Sequence, residues 1–393
     1  MAIRPTEPMV DTPPLSLYVH LPWCVRKCPY CDFNSHAAKG ELPIDAYIDA
    51  LLQDLAEQAA WVEGRPVTSV FFGGGTPSLF PPEAVARLLE GARGLLPFDP
   101  AAEVTLEANP GTVEHGPFPD YRHAGVNRVS LGVQSFSDDL LRRIGRIHGG
   151  AEAGAAVEQA VAAGLRVNVD LMFALPGQDL DGALADVRRA LASGAGHLSH
   201  YQLTLEPNTL FHARPPKLPD DEAAWNMQRR CQDLIAAAGF EHYEVSAYAR
   251  PGERCRHNLN YWTFGDYLGI GAGAHGKWTD PASGAITRTL RHRHPRTYLD
   301  TPAGAGALQQ HRRVPAEEVL FEFALNAWRL QDGVSPDLIE ARTGTVPDPK
   351  VEPWRTAVEA ELLAMTTGCV RPTDRGARFL NDLTALFMEP IDA

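Results

Sequence analysis

At 393 residues, 44% hydrophobic and 22% charged, the chain is long enough for two domains and a sizeable core, with the composition of an ordinary globular protein. Its formal charge of −13 argues against a broad nucleic-acid-binding face, and no window approaches the roughly 18 uninterrupted apolar residues of a membrane span, leaving at most peripheral membrane contact. Six cysteines, three of them crowded between Cys24 and Cys31, and no hydrophobic signal segment predict a cytoplasmic metal-binding protein rather than a secreted, cross-linked one.

Residues 1–14, with four prolines, read as a disordered leader. From Ser16 to about residue 250, short apolar or β-branched runs alternate with amphipathic stretches, the pattern of parallel strands covered by helices. The predicted strands are Ser16–His20, Val67–Phe72, Glu103–Ala108, Asn127–Val133, Arg166–Phe173 and His197–Leu205, each followed by a helical segment. Within Asp45–Val62, residues Ala46, Ile48, Leu51, Leu52, Leu55 and Ala59 fall near helical spacing, as on an outer helix with one buried face. The implied α/β fold is a partial (β/α)6 TIM-like barrel, whose chemistry belongs on the loops at the C-terminal strand ends.

Further strands at Glu241–Tyr248 and Tyr267–Ile270 extend the sheet before a glycine-rich run, Gly269–Gly276, so the barrel domain is expected over residues 15–280. Residues 281–312, rich in Arg, Thr, Pro and Gly, read as an irregular connection. The basic run Arg291–Arg296 within them is either solvated surface or a patch that meets an anion. Residues 313–393 predict a small, mainly helical, winged-helix-like domain, with helices at Ala316–Leu330, Ser335–Thr343 and Val351–Ala364, a short strand Cys369–Pro372 and a last helix Gly376–Met388.

The chemistry is concentrated in Cys24-Val-Arg-Lys-Cys28-Pro-Tyr-Cys31, directly after the first strand. Residues at these spacings share a helix face and could form a buried stripe, but Pro22 and Pro29 favour a loop. A loop of thiols flanked by His20 and His36 could hold zinc as Cys3His, or the thiols could bind a four-iron cluster. Such a cluster normally takes four thiolates, so three leave one iron open to an exogenous ligand.

Polar residues then recur at successive strand ends. Gly73-Gly74-Gly75-Thr76 follows the second strand, where backbone must approach a ligand or neighbour closely. Glu107 ends the third strand, Gln134 ends the fourth with Arg146 beyond it, and Asp170 lies in the fifth. Each alone reads as a cap, a surface charge or a core hydrogen bond; together they can line one pocket.

From Tyr18 to Asp170, in order, these residues resemble the coproporphyrinogen dehydrogenase-like branch of the radical S-adenosylmethionine superfamily. The resemblance rests on Tyr18-x-His20-x-Pro22-x-Cys24, the three-cysteine loop, Gly74-Gly75-Thr76, Glu107-Ala-Asn-Pro, Gly-Val-Gln134-Ser-Phe and Asp170-Leu-Met-Phe-Ala-Leu-Pro-Gly-Gln. It implies a [4Fe–4S] cluster held by Cys24, Cys28 and Cys31. It also implies S-adenosylmethionine contacts from Tyr18, Tyr30, Gly74, Gly75, Thr76, Glu107, Gln134, Arg146 and Asp170, with Arg146 on the ligand's carboxylate and the acids near its ribose or sulfonium.

Within that branch the chain is similar to the haem chaperones of the HemW group. Phe33 stands where the oxidase carries a further Cys, the segment ahead of the cluster is short, and His257-Asn258-Leu-Asn-Tyr261-Trp262 matches a motif of the chaperones. Tyr201-Gln-Leu-Thr-Leu-Glu-Pro-Asn208 and Thr373-Asp-Arg-Gly extend the match. The resemblance implies haem as cargo, recipient haem proteins and an electron donor as partners, and His257, Asn258, Tyr261 and Trp262 as haem contacts; the alternative activity is radical decarboxylation of coproporphyrinogen III. Read from chemistry alone, His257 suits either an iron ligand or a satisfied core histidine.

Overall fold

The computed structural model describes residues 12–388 except 63, 112–115 and 302–305. Most of the expected leader, residues 1–11, lies outside the described residues.

Among the described residues, twelve strands form one mixed sheet. At its centre, Leu15–Leu21, Val67–Gly74, Phe98–Ala108, Arg128–Gln134, Arg166–Phe173 and His197–Gln202 lie side by side in chain order, all parallel, as the barrel pattern predicts. These strands are buried on both faces: in the first, Leu15, Leu17, Val19 and Leu21 are buried on one side, and the polar Ser16 and His20 are buried on the other. Helices Ile44–Ala59, Pro82–Leu95, Gly150–Ala162, Leu180–Ala192 and Asp221–Ala237 supply the outer layer.

The sheet stays open, and both flanks turn antiparallel. On one side Glu241–Tyr248 is not one strand but a hairpin of Glu241–Glu244 and Ala247–Ala249. On the other, Asp266–Ile270 joins the first strand in parallel, with Tyr18 opposite Gly269, and is followed by His275–Thr279, Ile286–Arg291 and Leu308–Arg313. The expected irregular connection therefore supplies two sheet strands and a short helix, Pro295–Asp300. Composition hid them because a buried charge stands where an apolar residue would have signalled a strand. Arg291 is 1% exposed and donates through Nε to Asp54 of the first helix at 3.0 Å, and Asp54 also accepts from Tyr298 and Gln58. The same ion pair explains why Asp54 and Gln58 join Tyr47, Ile48, Leu51 and Leu55 on that helix's buried face.

A second core, built around Phe323, Trp328, Trp354, Leu383 and Phe387, gathers the C-terminal helices. Helices Ala316–Ala327 and Pro336–Thr343 lie within the expected ranges; Val351–Ala364 is helical only at Trp354–Glu359, because Leu363–Met365 pairs with Val370–Pro372 as a small antiparallel ladder. The expected last helix is broken at Phe379 into Asp374–Arg378 and Leu380–Ala385. No helix among the described residues is long and apolar enough to cross a membrane.

Candidate functional site

At the C-terminal end of the first strand, the chain leaves the sheet as a loop closed by a two-residue parallel pairing of Trp23–Cys24 with His36–Ala37. His36 N–H donates to Pro22 O at 2.7 Å and Cys31 N–H to Cys28 O at 3.1 Å, a turn rather than a helix, so the cysteines form no helical stripe. Cys24, Cys28 and Cys31 are unpaired and half-buried, and all three line a cavity of about 340 Å³. Burial holds the thiols of Cys24 and Cys31 above their ordinary range.

Of the two histidines that flank the thiols, one is already engaged. His20 engages Tyr18 Oη at 3.1 Å through Nδ1 and Asn34 O at 2.9 Å through Nε2, and burial holds its pKa at about 4. Among the described residues, no three His, Cys, Asp or Glu side chains group as a single metal ion requires. The three thiols are instead spread around one cavity.

The glycine run brings the second strand against this loop. Gly75 N–H donates to Leu21 O at 2.8 Å and Thr76 N–H to Trp23 O at 2.7 Å. A Cβ on Gly75 would stand 2.4 Å from Trp23 O, and one on Gly74, whose φ is +112°, 2.5 Å from the His20 ring. Only glycine fits both positions.

The following strand ends complete the cavity. Glu107 accepts from Gly74 N–H at 3.2 Å; burial, then the nearby Asp170 carboxylate, pushes its pKa up to about 8. Asp170 accepts from Asn168 at 2.7 Å and Ser130 at 3.3 Å, yet burial still raises its pKa. Gln134, at a φ of +68° where its strand's register shifts, takes a 2.8 Å hydrogen bond from Tyr201. Arg146 points Nη1 at Cys28 Sγ, 3.5 Å away, and Nη2 at Gly132 O, while its buried Nε has no hydrogen-bond partner among the described residues. Tyr30 lines the same wall. Tyr201 belonged to a segment singled out in the sequence, but only its hydrogen bond to Gln134 reveals a place in this cavity.

Of the residues expected in this pocket, Tyr18 alone is not in its wall. It faces a second cavity, of about 760 Å³, which adjoins the first across Asp32, Phe33, Ser35, Gly74 and Glu107. Tyr261 and Tyr267 line the second cavity too, their rings edge-on at 4.6 Å, with Lys27, His275 and Arg293.

The four residues of the His257 motif sit in different surroundings. His257 is 1% exposed, shares hydrogen bonds with Ser69 Oγ at 3.0 Å and Tyr261 Oη at 2.9 Å, and packs on Phe71 at 5.0 Å. Burial, then Arg128, lowers its pKa to about 3, so the ring is a neutral core group with both nitrogens engaged. It positions Tyr261, the only one of the four motif residues in the second cavity's wall. Asn258 is half-buried on the same short helix, and Trp262 packs against the C-terminal core under Arg329, 4.3 Å from its ring. Cys231 and Cys255 are buried with thiols pushed up to about 12 by desolvation, and Cys369 donates to Asp332 O at 3.2 Å.

This geometry has known counterparts. Residues 18–190 match the radical SAM superfamily and residues 314–379 the HemN C-terminal domain. The chain is 51% identical over 381 residues, 97% of its length and 100% of the relative's, to the heme chaperone HemW of Escherichia coli strain K12. It is 47% identical over 385 residues, 97% and 99% of the two chains, to that of Haemophilus influenzae. The solved structure of coproporphyrinogen III oxidase (HemN) from Escherichia coli, a radical SAM enzyme, superposes with a TM-score of 0.77 at 21% identity, covering 96% of this chain and 90% of that one, and so shares the fold. Full-length identity at this level places the chain in the HemW family of the radical SAM superfamily.

Proposed function

We propose that this protein carries haem and hands it to recipient haem proteins, on a scaffold that holds a [4Fe–4S] cluster through Cys24, Cys28 and Cys31 and S-adenosylmethionine in the adjoining acidic pocket. The observation that carries the reading is identity along nearly the whole chain with proteins named heme chaperones, reaching 51%. Membership of the radical SAM superfamily implies the cluster and S-adenosylmethionine, and the residues present fit both. Three half-buried thiols line one cavity, and the orphaned Nε of Arg146 lies where a carboxylate would satisfy it. When bound, a cluster with one iron bare of protein thiolate supplies a site for the amino and carboxylate groups of S-adenosylmethionine and an electron for its sulfonium.

The chain's own groups set the conditions around that chemistry. Arg146 orients a carboxylate beside Cys28, and Tyr30 offers a flat face on the same wall. Glu107 and Asp170 sit where a cation would pull their raised pKa values back down, so the buried pair selects a positively charged ligand. The Gly75 and Thr76 N–H groups hold the start of the cysteine loop to the barrel, and the Gly74 N–H is spent on Glu107.

The carrier reading is tested on one anaerobic preparation: haem titration, then mixing with an apo haem protein, beside an assay of coproporphyrinogen III turnover. Saturable binding and transfer without multiple turnovers are expected. Conversion of coproporphyrinogen III to protoporphyrinogen IX over many turnovers would assign the oxidase activity instead.

A further inference from the structure

The second cavity carries a charge pattern that the cluster site does not explain. Its acids, Asp32 and Glu107, lie on the wall shared with the cluster cavity, whereas Lys27, His275 and Arg293 belong to the larger cavity alone. Arg293 is exposed and forms no ion pair among the described residues. Lys27 leans on Phe33 O at 2.9 Å and Ser35 O at 3.4 Å, which fixes its ammonium at the cavity wall and leaves donor capacity unused. The His275 ring is exposed and makes no hydrogen bond among the described residues.

The glycine-rich turn sets the position of that imidazole. Gly271 and Gly273 have φ of +100° and +84°, Ala274 N–H closes the turn on Gly271 O at 3.0 Å, and a Cβ on Gly273 would stand 2.2 Å from Asn34 Nδ2. Asn34, next to the shared wall, donates to both Ala272 O and Arg293 O at 2.9 Å, so one side chain ties the turn and the arginine to the cysteine loop. Edge-on Tyr261 and Tyr267 and the 60%-exposed Phe33 add flat apolar surface around the same space. An imidazole with no partner, two cations without acids and aromatic faces around about 760 Å³ match an iron macrocycle bearing two carboxylates.

We propose that this cavity is the cargo site, with His275 as the haem-iron ligand and Arg293 and Lys27 meeting the propionates, and that His257 acts behind it by holding Tyr261. The assignment rests on the haem-carrying reading above, and its test separates the two. Protein with its cluster assembled under anaerobic conditions is titrated with haem, with metal-free protoporphyrin IX and with haem dimethyl ester, in wild type, His275→Ala, His275→Gln and Arg293→Glu. Cluster content and S-adenosylmethionine affinity serve as controls for folding. Loss of the iron ligand raises the haem Kd by about tenfold or more and moves the Soret band, while metal-free porphyrin binds His275→Ala as it binds wild type. Arg293→Glu weakens haem and metal-free porphyrin alike by about threefold to tenfold and leaves the ester unaffected. If wild type binds and transfers haem but the His275 variants keep its affinity and spectrum, the site is overturned and the carrier reading stands; if wild type neither binds nor transfers haem, the carrier reading falls and takes the site with it.

Discussion

The two cavities at the barrel mouth share a wall, yet they differ in electrostatics and in how they are built. The smaller is ringed by the ends of parallel strands and closed by the cysteine loop; its carboxylates are buried deeply enough that Glu107 sits near a pKa of 8. The larger is assembled from additions to the barrel: the cysteine loop, the Asp266–Ile270 strand, the glycine-rich turn and the segment after Ile286–Arg291. A site made of rigid strand ends can hold a cofactor in one pose. One walled by loops and exposed cations can admit and release a cargo, which a carrier requires.

Removing a thiol should have the largest effect. Cys28→Ser takes one of three donors from the small cavity and leaves Arg146 without its sulfur neighbour. Anaerobic reconstitution followed by iron and sulfide analysis should show the cluster essentially lost, while the larger cavity still binds metal-free porphyrin. Full cluster content in this variant would remove the basis for assigning the loop its metal.

The next effect is an affinity that climbs with pH. With its pKa raised to about 8, Glu107 is mostly protonated at neutral pH, and a sulfonium must expel that proton to gain a carboxylate partner. S-adenosylmethionine affinity should therefore rise by up to about tenfold per pH unit as pH approaches 8, and level off above it. Glu107→Gln, permanently neutral, should flatten the profile and bind at least about tenfold more weakly at the plateau. Calorimetry in two buffers of different ionisation enthalpy reads the released proton directly. A flat profile in wild type would place the cation away from Glu107.

A smaller effect separates a positioning histidine from a ligand. His257→Ala leaves Ser69 and Tyr261 without their shared partner inside the barrel wall, which should cost about 1–3 kcal/mol of stability, measured by denaturant unfolding. It should loosen porphyrin binding through Tyr261 without moving the Soret band. A moved band would return the iron to His257.

The small cavity was legible in the sequence because its cysteines form one compact motif and its acids and amide sit toward strand ends, which can be counted from alternating runs. Glu107, Gln134 and Asp170 come together because all three lie toward the C-terminal ends of consecutive parallel strands. Tyr18 escaped the count: it lies within the first strand, and its side chain faces the neighbouring cavity. The larger cavity was not legible, since His275 and Arg293 depend on a sheet extension whose strands carry Arg and Thr in place of an apolar signature. The run Arg291–Arg296 looked like one patch, but Arg291 is buried on Asp54 while Arg293 reaches the cavity. The motif histidine was visible as a candidate ligand; only its two hydrogen bonds show that its ring is already engaged.

The finest test acts on the shared wall itself. Asn34 belongs to the cysteine loop by sequence and to the larger cavity by its bonds, since its amide holds Ala272 O and Arg293 O. Asn34→Ala removes both bonds at a half-exposed position where water replaces part of the loss, so the stability change should be only about 1 kcal/mol. The thiols and the bonds from Gly75 to Leu21 and from Thr76 to Trp23 do not involve this side chain, so cluster content and S-adenosylmethionine affinity should stay within about twofold of wild type. Arg293 and the turn carrying His275 lose their tether, and haem should bind about threefold more weakly as its ligands spend time out of place. If haem and S-adenosylmethionine affinity fall together by the same factor, the two cavities are one cooperative unit. The separation of cofactor and cargo across Gly74 and Glu107 would then have no energetic meaning.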